Sequence, residues 1–126
     1  MIQPQHRTNI MNIATTLQHL FPDSTPRVDW LVVDDGSGQR IAEWNLADPQ
    51  PTSEQLNAAW SAANSAHEWG LVRGKRAILL DSSDWTQLSD VPLSDEKRGE
   101  WVTYRQALRD ITSQPEGSVS WPVEPV

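Results

Sequence analysis

Two short stretches of this sequence contain residue types that could perform catalysis, but each lacks a group that its chemistry requires. His67 and Glu68 begin like the zinc-binding helix of a metalloprotease, in which a second histidine would stand at position 71, where the sequence has Leu71. Residues 70–75 carry the glycines and the lysine of a phosphate-binding loop, but too few residues separate the glycines, and an arginine follows the lysine. We therefore interpret His67 as an ordinary residue of a helical stripe.

Two further stretches combine carboxylates with hydroxyl groups. Residues 34–38 read Asp-Asp-Gly-Ser-Gly, and because no glutamate follows at the position that a calcium loop needs, the pattern favours a hairpin turn. Ser83 and Asp84 are expected to accept backbone N–H bonds and end a helix, since none of the three histidines stands in the context of a catalytic triad. The sequence therefore predicts no enzyme, no metal site and no cofactor.

Charge and hydropathy exclude several classes of partner. The net charge is −7 and the sequence pI is near 4.7, whereas phosphate binding needs a concentrated basic surface. The one basic cluster, Arg73, Lys75 and Arg76, is interpreted as a solvated helix face. No apolar run reaches the ~20 residues of a membrane-spanning helix, and there is no signal-peptide pattern. We expect no nucleic-acid or membrane partner and a location in the cytoplasm.

The N-terminal part of the chain predicts a short helix and a β-hairpin. Apolar residues at helical spacing, with Thr8 or Asn9 as a cap, indicate a helix over roughly residues 9–20. Alternating residues on either side of the turn at 34–38 then predict two antiparallel strands, with Trp30 and Trp44 on one face. An isolated hairpin is marginal in water, so it must pack on a helix, gain a third strand or pair with a partner.

The remainder predicts a helical hairpin. Thr52 and Gln55 form a capping box for a long helix over residues 53–80. One continuous stripe is expected along this helix, formed by Leu56, Trp60, Ala63, His67, Leu71, Gly74 and Ile78. Ser94 is the expected cap of a third helix, which reaches about residue 111 and packs antiparallel to the second. The expected contact joins Leu56, Trp60, Trp101 and Leu108, and the proline-containing tail from residue 112 is expected to be extended.

These elements define an α+β fold: a short helix and a β-hairpin, then a long antiparallel helical hairpin and an extended C-terminal tail. The prolines near residues 48–51 suggest a module of residues 1–48 and a second of residues 49–126. Whether the two share one core is left open by the sequence.

The C-terminal part carries a specific set of motifs. Residues 83–87 read SDWTQ, a PLS helix start and the helix WVTYRQALRD follow, and Trp121-Pro122 stands near the end. This set, which covers roughly a third of the chain, resembles the phage tail assembly chaperone family. Upstream, DWLVVDDGSGQRIAEWN and PQPTSEQL look like the N-terminal half of small tail-fibre assembly proteins, a looser match.

The resemblance implies a chaperone that binds a phage tail-fibre or tail protein, expected to be trimeric, and assists its folding, trimerisation or attachment. The alternative is a permanent structural part of the virion, such as a baseplate or fibre-tip adaptor. The expected location is accordingly the host cytoplasm during assembly, with the virion tail as the second possibility.

Tryptophan is the compositional anomaly, with seven residues against one tyrosine and one phenylalanine. Because tryptophan is both a core anchor and a frequent interface residue, two readings stay open: Trp85 and Trp101 are core, or they form a groove for a partner with Tyr104. The tail around Trp121 either folds back onto its own helices or reaches a neighbour. The candidate partner-binding residues are Trp30, Trp44, Trp85, Trp101, Tyr104, Arg105, Trp121 and Pro122.

Overall fold

The computed structural model describes residues 10–126 and has an α+β fold that is mostly helical. In chain order the elements are helix α1 (Ile13–Leu20), strands β1 (Trp30–Asp34) and β2 (Gln39–Trp44), helix α2 (Ser53–Ser82) and helix α3 (Asp95–Arg109). Short 3₁₀ helices follow α2 and α3, at Asp84–Gln87 and Ile111–Ser113. The predicted order of short helix, hairpin, long helix and further helix is confirmed.

Helix α1 begins later than the sequence suggested. Its cap is Asn12, whose side-chain oxygen accepts a hydrogen bond from the backbone N–H of Thr15 at 2.9 Å. The candidate caps Thr8 and Asn9 lie outside the described residues, and Ile10 precedes the helix and is exposed. Because an asparagine satisfies the free N–H groups of a first turn, the start moves to the residue after it.

The hairpin has the expected register and turn. Trp30 pairs directly with Trp44 across the two antiparallel strands, and a bulge lies between Leu31 and Val32. Gly36 and Gly38 have φ values of 97° and 118°, in the left-handed region that favours glycine. The carboxylates of Asp34 and Asp35 accept hydrogen bonds from the backbone N–H groups of Gly36 and Ser37, as expected for the predicted hairpin turn.

One turn carboxylate, Asp35, is held ionised by its neighbour. The Ser37 hydroxyl donates to it at 2.6 Å, and the Ser37 backbone N–H donates at 3.2 Å. These bonds hold the pKa of Asp35 below its ordinary value, the hydroxyl being the larger cause.

A small core joins α1, the hairpin and the first part of α2. Ile13, Leu17, Trp30 and Leu56 are its buried members. The side chain of Gln39 ties α1 to the hairpin, since its amide oxygen accepts from the N–H of Ile13 at 2.9 Å and its amide nitrogen donates to the carbonyl of Met11 at 3.2 Å. The hairpin thereby gains the helical support that the sequence required of it.

The capping box of α2 is confirmed, but the continuous stripe along that helix is wrong. The Gln55 N–H donates to the Thr52 hydroxyl at 3.1 Å, and the Thr52 N–H donates to the Gln55 side chain at 2.9 Å. The predicted stripe residues Leu71 and Ile78 are 57% and 69% exposed. In the second half of α2 the residues that are partly covered are Trp69, Val72, Arg76, Leu79 and Leu80.

The reason is that α2 serves two separate cores. Leu79 and Leu80 pack against the buried residues Trp101, Tyr104 and Leu108 of α3, whereas Leu56 belongs to the N-terminal core. Val72 and Leu79 each lie one position after a predicted stripe residue, Leu71 and Ile78. Because successive residues of a helix are about 100° apart, the covered face in this half lies about 100° from the predicted one. The expected cluster of Leu56, Trp60, Trp101 and Leu108 is therefore wrong.

Helices α2 and α3 meet in opposite directions. The Arg76 guanidinium donates to the carbonyl of Arg109 at 3.4 Å, while the carbonyl of Leu80 accepts from Arg105 at 2.8 Å, so the later α2 residue meets the earlier α3 residue. The predicted antiparallel arrangement is confirmed at the end of α2. Helix α3 itself begins after its expected cap Ser94, whose hydroxyl accepts from the N–H of Lys97 at 3.1 Å.

The chain divides by its contacts into two compact units, with the boundary between His67 and Glu68. That boundary falls within α2, whereas the sequence placed its division at residue 48. The division into modules at residue 48 stays a prediction. We refer below to the N-terminal unit, which ends at His67, and the C-terminal unit, Glu68–Val126.

The C-terminal core predicts a strong contrast between two α3 substitutions. Leu108 has no exposed surface, so Leu108→Ala is expected to lower the free energy of unfolding by about 2–5 kcal/mol. Val102→Ala on the same helix removes a side chain that is 49% exposed and should change it by about 0.5 kcal/mol or less. Urea unfolding of both variants measures the difference, and similar values for the two would contradict the described core.

Candidate partner-binding surface

Arg105 organises the segment that joins α2 to α3. One terminal nitrogen of its guanidinium donates to the Leu80 carbonyl at 2.8 Å and to the Ser83 hydroxyl at 2.7 Å. The other donates to the carboxylate of Asp84 at 2.8 Å. The Leu80 carbonyl lies at the end of α2, where it also accepts from the Ser83 backbone N–H at 3.2 Å, and a cation is favoured at this end of a helix. Arg105, which was predicted as a partner-binding residue, therefore uses its guanidinium for bonds within its own chain.

Trp85 lies next to this network and is displayed on the surface. It belongs to the 3₁₀ helix Asp84–Gln87 and is 48% exposed, so it is not the core residue that one reading of the sequence expected. Its ring meets that of Trp101 edge-on, with centroids 5.8 Å apart, and Trp101 meets Tyr104 in the same way at 5.6 Å. The three aromatic residues of the alternative reading are therefore contiguous. Trp101 and Tyr104 are buried, while Trp85 remains half open to contact.

Tyr104 also lines an open groove of about 610 Å³ in the C-terminal unit. One wall is α3, through Gly99, Thr103 and Ala107, and the other is the tail, through Pro122, Val123 and Pro125. Burial raises the pKa of Tyr104 and Glu124 raises it further, so its hydroxyl stays protonated at neutral pH. The groove brings together two of the predicted residues, Tyr104 and Pro122, and its walls are largely apolar.

The tail folds back onto the C-terminal unit. Trp121 packs against the core of Trp101, Tyr104 and Leu108, and the ammonium group of Lys75 lies 4.3 Å from the centroid of its ring. The Gln114 side chain accepts from the Ser120 N–H at 2.7 Å and donates to its carbonyl at 2.9 Å. Of the two possibilities for the tail, the structure shows the one in which it lies across its own helices.

The two tryptophans of the hairpin lie in a different environment. Trp30 is 3% exposed, and its indole N–H donates to the Ser24 hydroxyl at 2.9 Å. Trp44 is half-buried, meets Phe21 edge-on at 5.4 Å, and donates to the Asp48 carbonyl at 2.7 Å. Both therefore have structural roles in the N-terminal unit, and a partner could reach only the outer part of Trp44.

Among residues 10–126 the structure shows no group of three or more His, Cys, Asp or Glu side chains that could hold a metal ion. None of the helices in this part of the chain is long and apolar enough to cross a membrane. What the described surface offers is an exposed tryptophan and an apolar groove, which are features of protein binding.

Sequence reasoning missed how the motif residues contact one another. Ser83 was expected to accept backbone N–H bonds, but its hydroxyl lies 2.8 Å from the Leu79 carbonyl, to which it donates, and it accepts from Arg105. Lys75 was assigned to a solvated face, but it covers Trp121. The usable signal was the placement of a serine, an aspartate and an arginine within one motif, because an arginine can bind both of the others.

Comparison with known proteins divides the chain at nearly the same place as its contacts do. Residues 13–68 match the family described as XkdW protein, and residues 69–126 match the family described as phage tail assembly chaperone protein. The junction lies one residue after the boundary between the two compact units. The resemblance of the C-terminal segment is thus confirmed by a match over the whole unit.

A Bacillus subtilis (strain 168) protein, described as uncharacterized protein YqcD, is 35% identical to this chain over 57 residues. The similarity covers 44% of this chain and 51% of the relative, so about half of the relative's length is spanned. No solved structure matches the chain.

The Arg105 network predicts that a charge-conserving substitution still destabilises the fold. Lysine cannot reproduce the forked donors, so Arg105→Lys should leave a partner unsatisfied and lower the free energy of unfolding by about 1–3 kcal/mol. Arg109→Lys is the matched control, since the Arg109 side chain is exposed and, among residues 10–126, its bond is to the side chain of Gln106 on the same helix. Chemical denaturation of both variants tests this, and equal stability would mean that the fork is dispensable.

The tail contacts predict that removal of residues 116–126 lowers the melting temperature. The truncation exposes the core that Trp121 covers and removes its contact with Lys75. Thermal unfolding of the truncated chain measures the effect, and an unchanged melting temperature with lost binding of a tail protein would show instead that the tail acts as a binding arm. A Val126→Ala variant is the control, because this side chain is fully exposed and does not line the groove beside Tyr104.

Proposed function

Because residues 69–126 belong to the phage tail assembly chaperone family, we propose that this protein binds a tail-fibre protein, or another tail protein, while the tail is assembled. It holds the newly made chain until that chain folds, trimerises or attaches. This takes place in the host cytoplasm, before the particle is complete. The protein has an assembly role, and its family is not a class of enzymes.

The observation that carries the proposal is the match over the entire C-terminal unit together with the position of Trp85. A tryptophan that is half exposed on a short 3₁₀ helix loses little freedom when it binds, because the turn is already held by the bonds from Arg105 to Ser83 and Asp84. Tryptophan is also among the residues that contribute most to protein interfaces. We propose that Trp85 and the groove beside Tyr104 and Pro122 form the contact surface.

Binding alone is enough for such a role. Fibre chains expose unpaired strand edges and apolar surface before they trimerise, and such species aggregate. A protein that binds this surface lowers the concentration of the aggregating form by mass action. The bound tail protein is then released on assembly, or the complex persists as a permanent part of the virion. Mass spectrometry of purified virions distinguishes these outcomes, since a permanent component is present in stoichiometric amount.

Co-expression with the fibre protein of the same phage tests the proposal. We expect the chain to raise the yield of soluble, native trimer, because the fibre alone aggregates or misassembles. The measurement is the amount of trimer recovered by size-exclusion chromatography with and without the chain. Equal recovery without the chain would contradict the chaperone role.

The same assay tests the contact surface. Trp85→Ala removes the aromatic contact with Trp101 and the covered half of the side chain, so the free energy of unfolding should fall by about 2–3 kcal/mol, and the melting temperature of the variant shows that it is folded. The yield of native trimer should fall towards that of fibre expressed alone. Val102→Ala, at another exposed position of the same unit, is the control and should retain full rescue. Full rescue by the Trp85 variant would place the contact elsewhere.

A further inference from the structure

The N-terminal unit contains a groove of about 580 Å³ that none of the sequence motifs indicated. It lies between α1, the turn before β1, β1 itself and the first part of α2. Its volume is within the range of about 300–1,000 Å³ in which proteins bind ligands. All of its lining residues belong to the N-terminal unit, so the groove is complete within that unit.

Short side chains create the groove. Ala14 of α1 and Ala63 and Ala66 of α2 line it, together with Trp30 and Val32 of β1. Larger residues at the alanine positions would fill the space between the helices. The result is an apolar floor that can cover part of a ligand, while polar groups stand at the sides.

The polar lining is cationic or neutral. Arg27 carries a permanent positive charge, and His19, His67, Gln18 and Thr15 supply hydrogen-bonding groups. No aspartate or glutamate lines the groove, although the chain as a whole has a net charge of −7. Asp29, two residues from Arg27, accepts a hydrogen bond from the backbone N–H of Thr25 at 2.7 Å and is not a lining residue. Arg27 forms no ion pair with any residue in the part of the chain that the structure describes.

The backbone at Arg27 is also unusual. Its φ is 72°, and it is the one non-glycine residue with positive φ among residues 10–126. The backbone N–H of Arg27 donates to the Trp30 carbonyl at 2.7 Å, which holds this conformation. A left-handed backbone is unfavourable for arginine, whereas glycine or asparagine adopts it readily. An arginine at such a position, without an ion pair within the described fold, makes its side chain a candidate for contact with a ligand.

We propose that this groove binds an acidic peptide segment of a tail protein, with a carboxylate of the segment on Arg27 and an apolar side chain over Trp30 and the alanines. An arginine fork suits a carboxylate, and the absence of lining carboxylates removes the repulsion that such a ligand would otherwise meet. The inference rests on the proposed function only for the origin of the segment.

Four variants of the whole chain test the groove. Ala66→Leu fills it from an exposed helix position, and Ala62→Leu places the same side chain on α2 at an exposed position that does not line it. Arg27→Asn removes the charge with a residue that tolerates positive φ, and Arg27→Lys keeps the charge. We expect Arg27→Asn to melt at or above the wild-type temperature, which separates a loss of binding from a loss of folding.

The probe is a fluorescein-labelled peptide of glutamates around one leucine, measured by fluorescence anisotropy. We expect saturable binding with Kd below about 1 mM. Arg27→Asn and Ala66→Leu should each weaken it about tenfold or more, Arg27→Lys should weaken it less, and Ala62→Leu should leave it unchanged. The same peptide with glutamine in place of glutamate should bind at least about tenfold more weakly.

Several outcomes would overturn the inference. They are the absence of binding to the acidic peptide, equal binding of the glutamine peptide, unchanged binding in both Arg27→Asn and Ala66→Leu, and tighter binding of a single-stranded oligonucleotide of equal charge. Should Ala66→Leu fail to fold, Arg27→Asn with its melting control decides the result alone.

The peptide titration contains no fibre protein, so its failure is distinguishable from failure of the proposed function. Rescue of the fibre in co-expression without peptide binding would remove the groove inference and leave the chaperone role. Peptide binding through Arg27 without rescue of the fibre would support the groove inference and remove the chaperone role.

Discussion

The guanidinium of Arg105 joins the parts of the C-terminal unit that the core alone could not hold in place. With its side chain 13% exposed, it extends from α3 to the Leu80 carbonyl near the end of α2 and to Ser83 and Asp84 in the segment that follows. These bonds fix a segment in which Thr86 is buried and Trp85 remains half exposed. Trp85 follows Asp84 directly, so the orientation of the exposed ring depends on the Arg105 bonds as well as on Trp101.

The same physical solution recurs because each unit is small. A unit of this size buries too little apolar surface to fix every element by packing, and side chains that bind backbone groups supply the rest. The Gln39 side chain binds backbone groups of the segment that begins α1, and the Gln114 side chain binds those of Ser120 in the tail. The capping box does the same at the start of α2. Among the described residues, no buried side-chain nitrogen or oxygen lacks a hydrogen-bond partner. The units are therefore defined as much by these polar contacts as by their cores.

How far the sequence could predict this structure follows from the range of each signal. Most local signals were reliable: the capping box of α2, the Ser94 cap, the turn with Gly36 and Gly38, and the alternation of the strands depend on residues a few positions apart. The start of α1 was an exception, since its cap is Asn12. The stripe along α2 was not, because helical periodicity shows which residues share a face but not that the helix changes its packing partner near residue 67. The exposure of Trp85 depends on its packing against Trp101, sixteen residues along the chain, so local patterns contain no record of it. The positive φ of Arg27 comes with a short-range bond to the Trp30 carbonyl, but arginine is not a residue whose presence indicates that conformation.

These differences separate the residues that build the fold from those that are free to bind. Most of the motif that carries the resemblance is internal: Ser83, Thr86, Trp101 and Leu108 are buried, and Arg105 is bonded within the chain. Because these residues are buried or bonded within the chain, the motif that they form predicts the fold. The same residues expose little surface that could distinguish one partner from another. Partner choice must come from groups that the fold positions without covering. We propose that in the C-terminal unit these are Trp85 and the groove beside the tail, and in the N-terminal unit Arg27 and the groove between its helices. On the function proposed above, the largely apolar groove and the groove with Arg27 would bind different segments of a tail protein, and contact by both would strengthen binding beyond that of either alone.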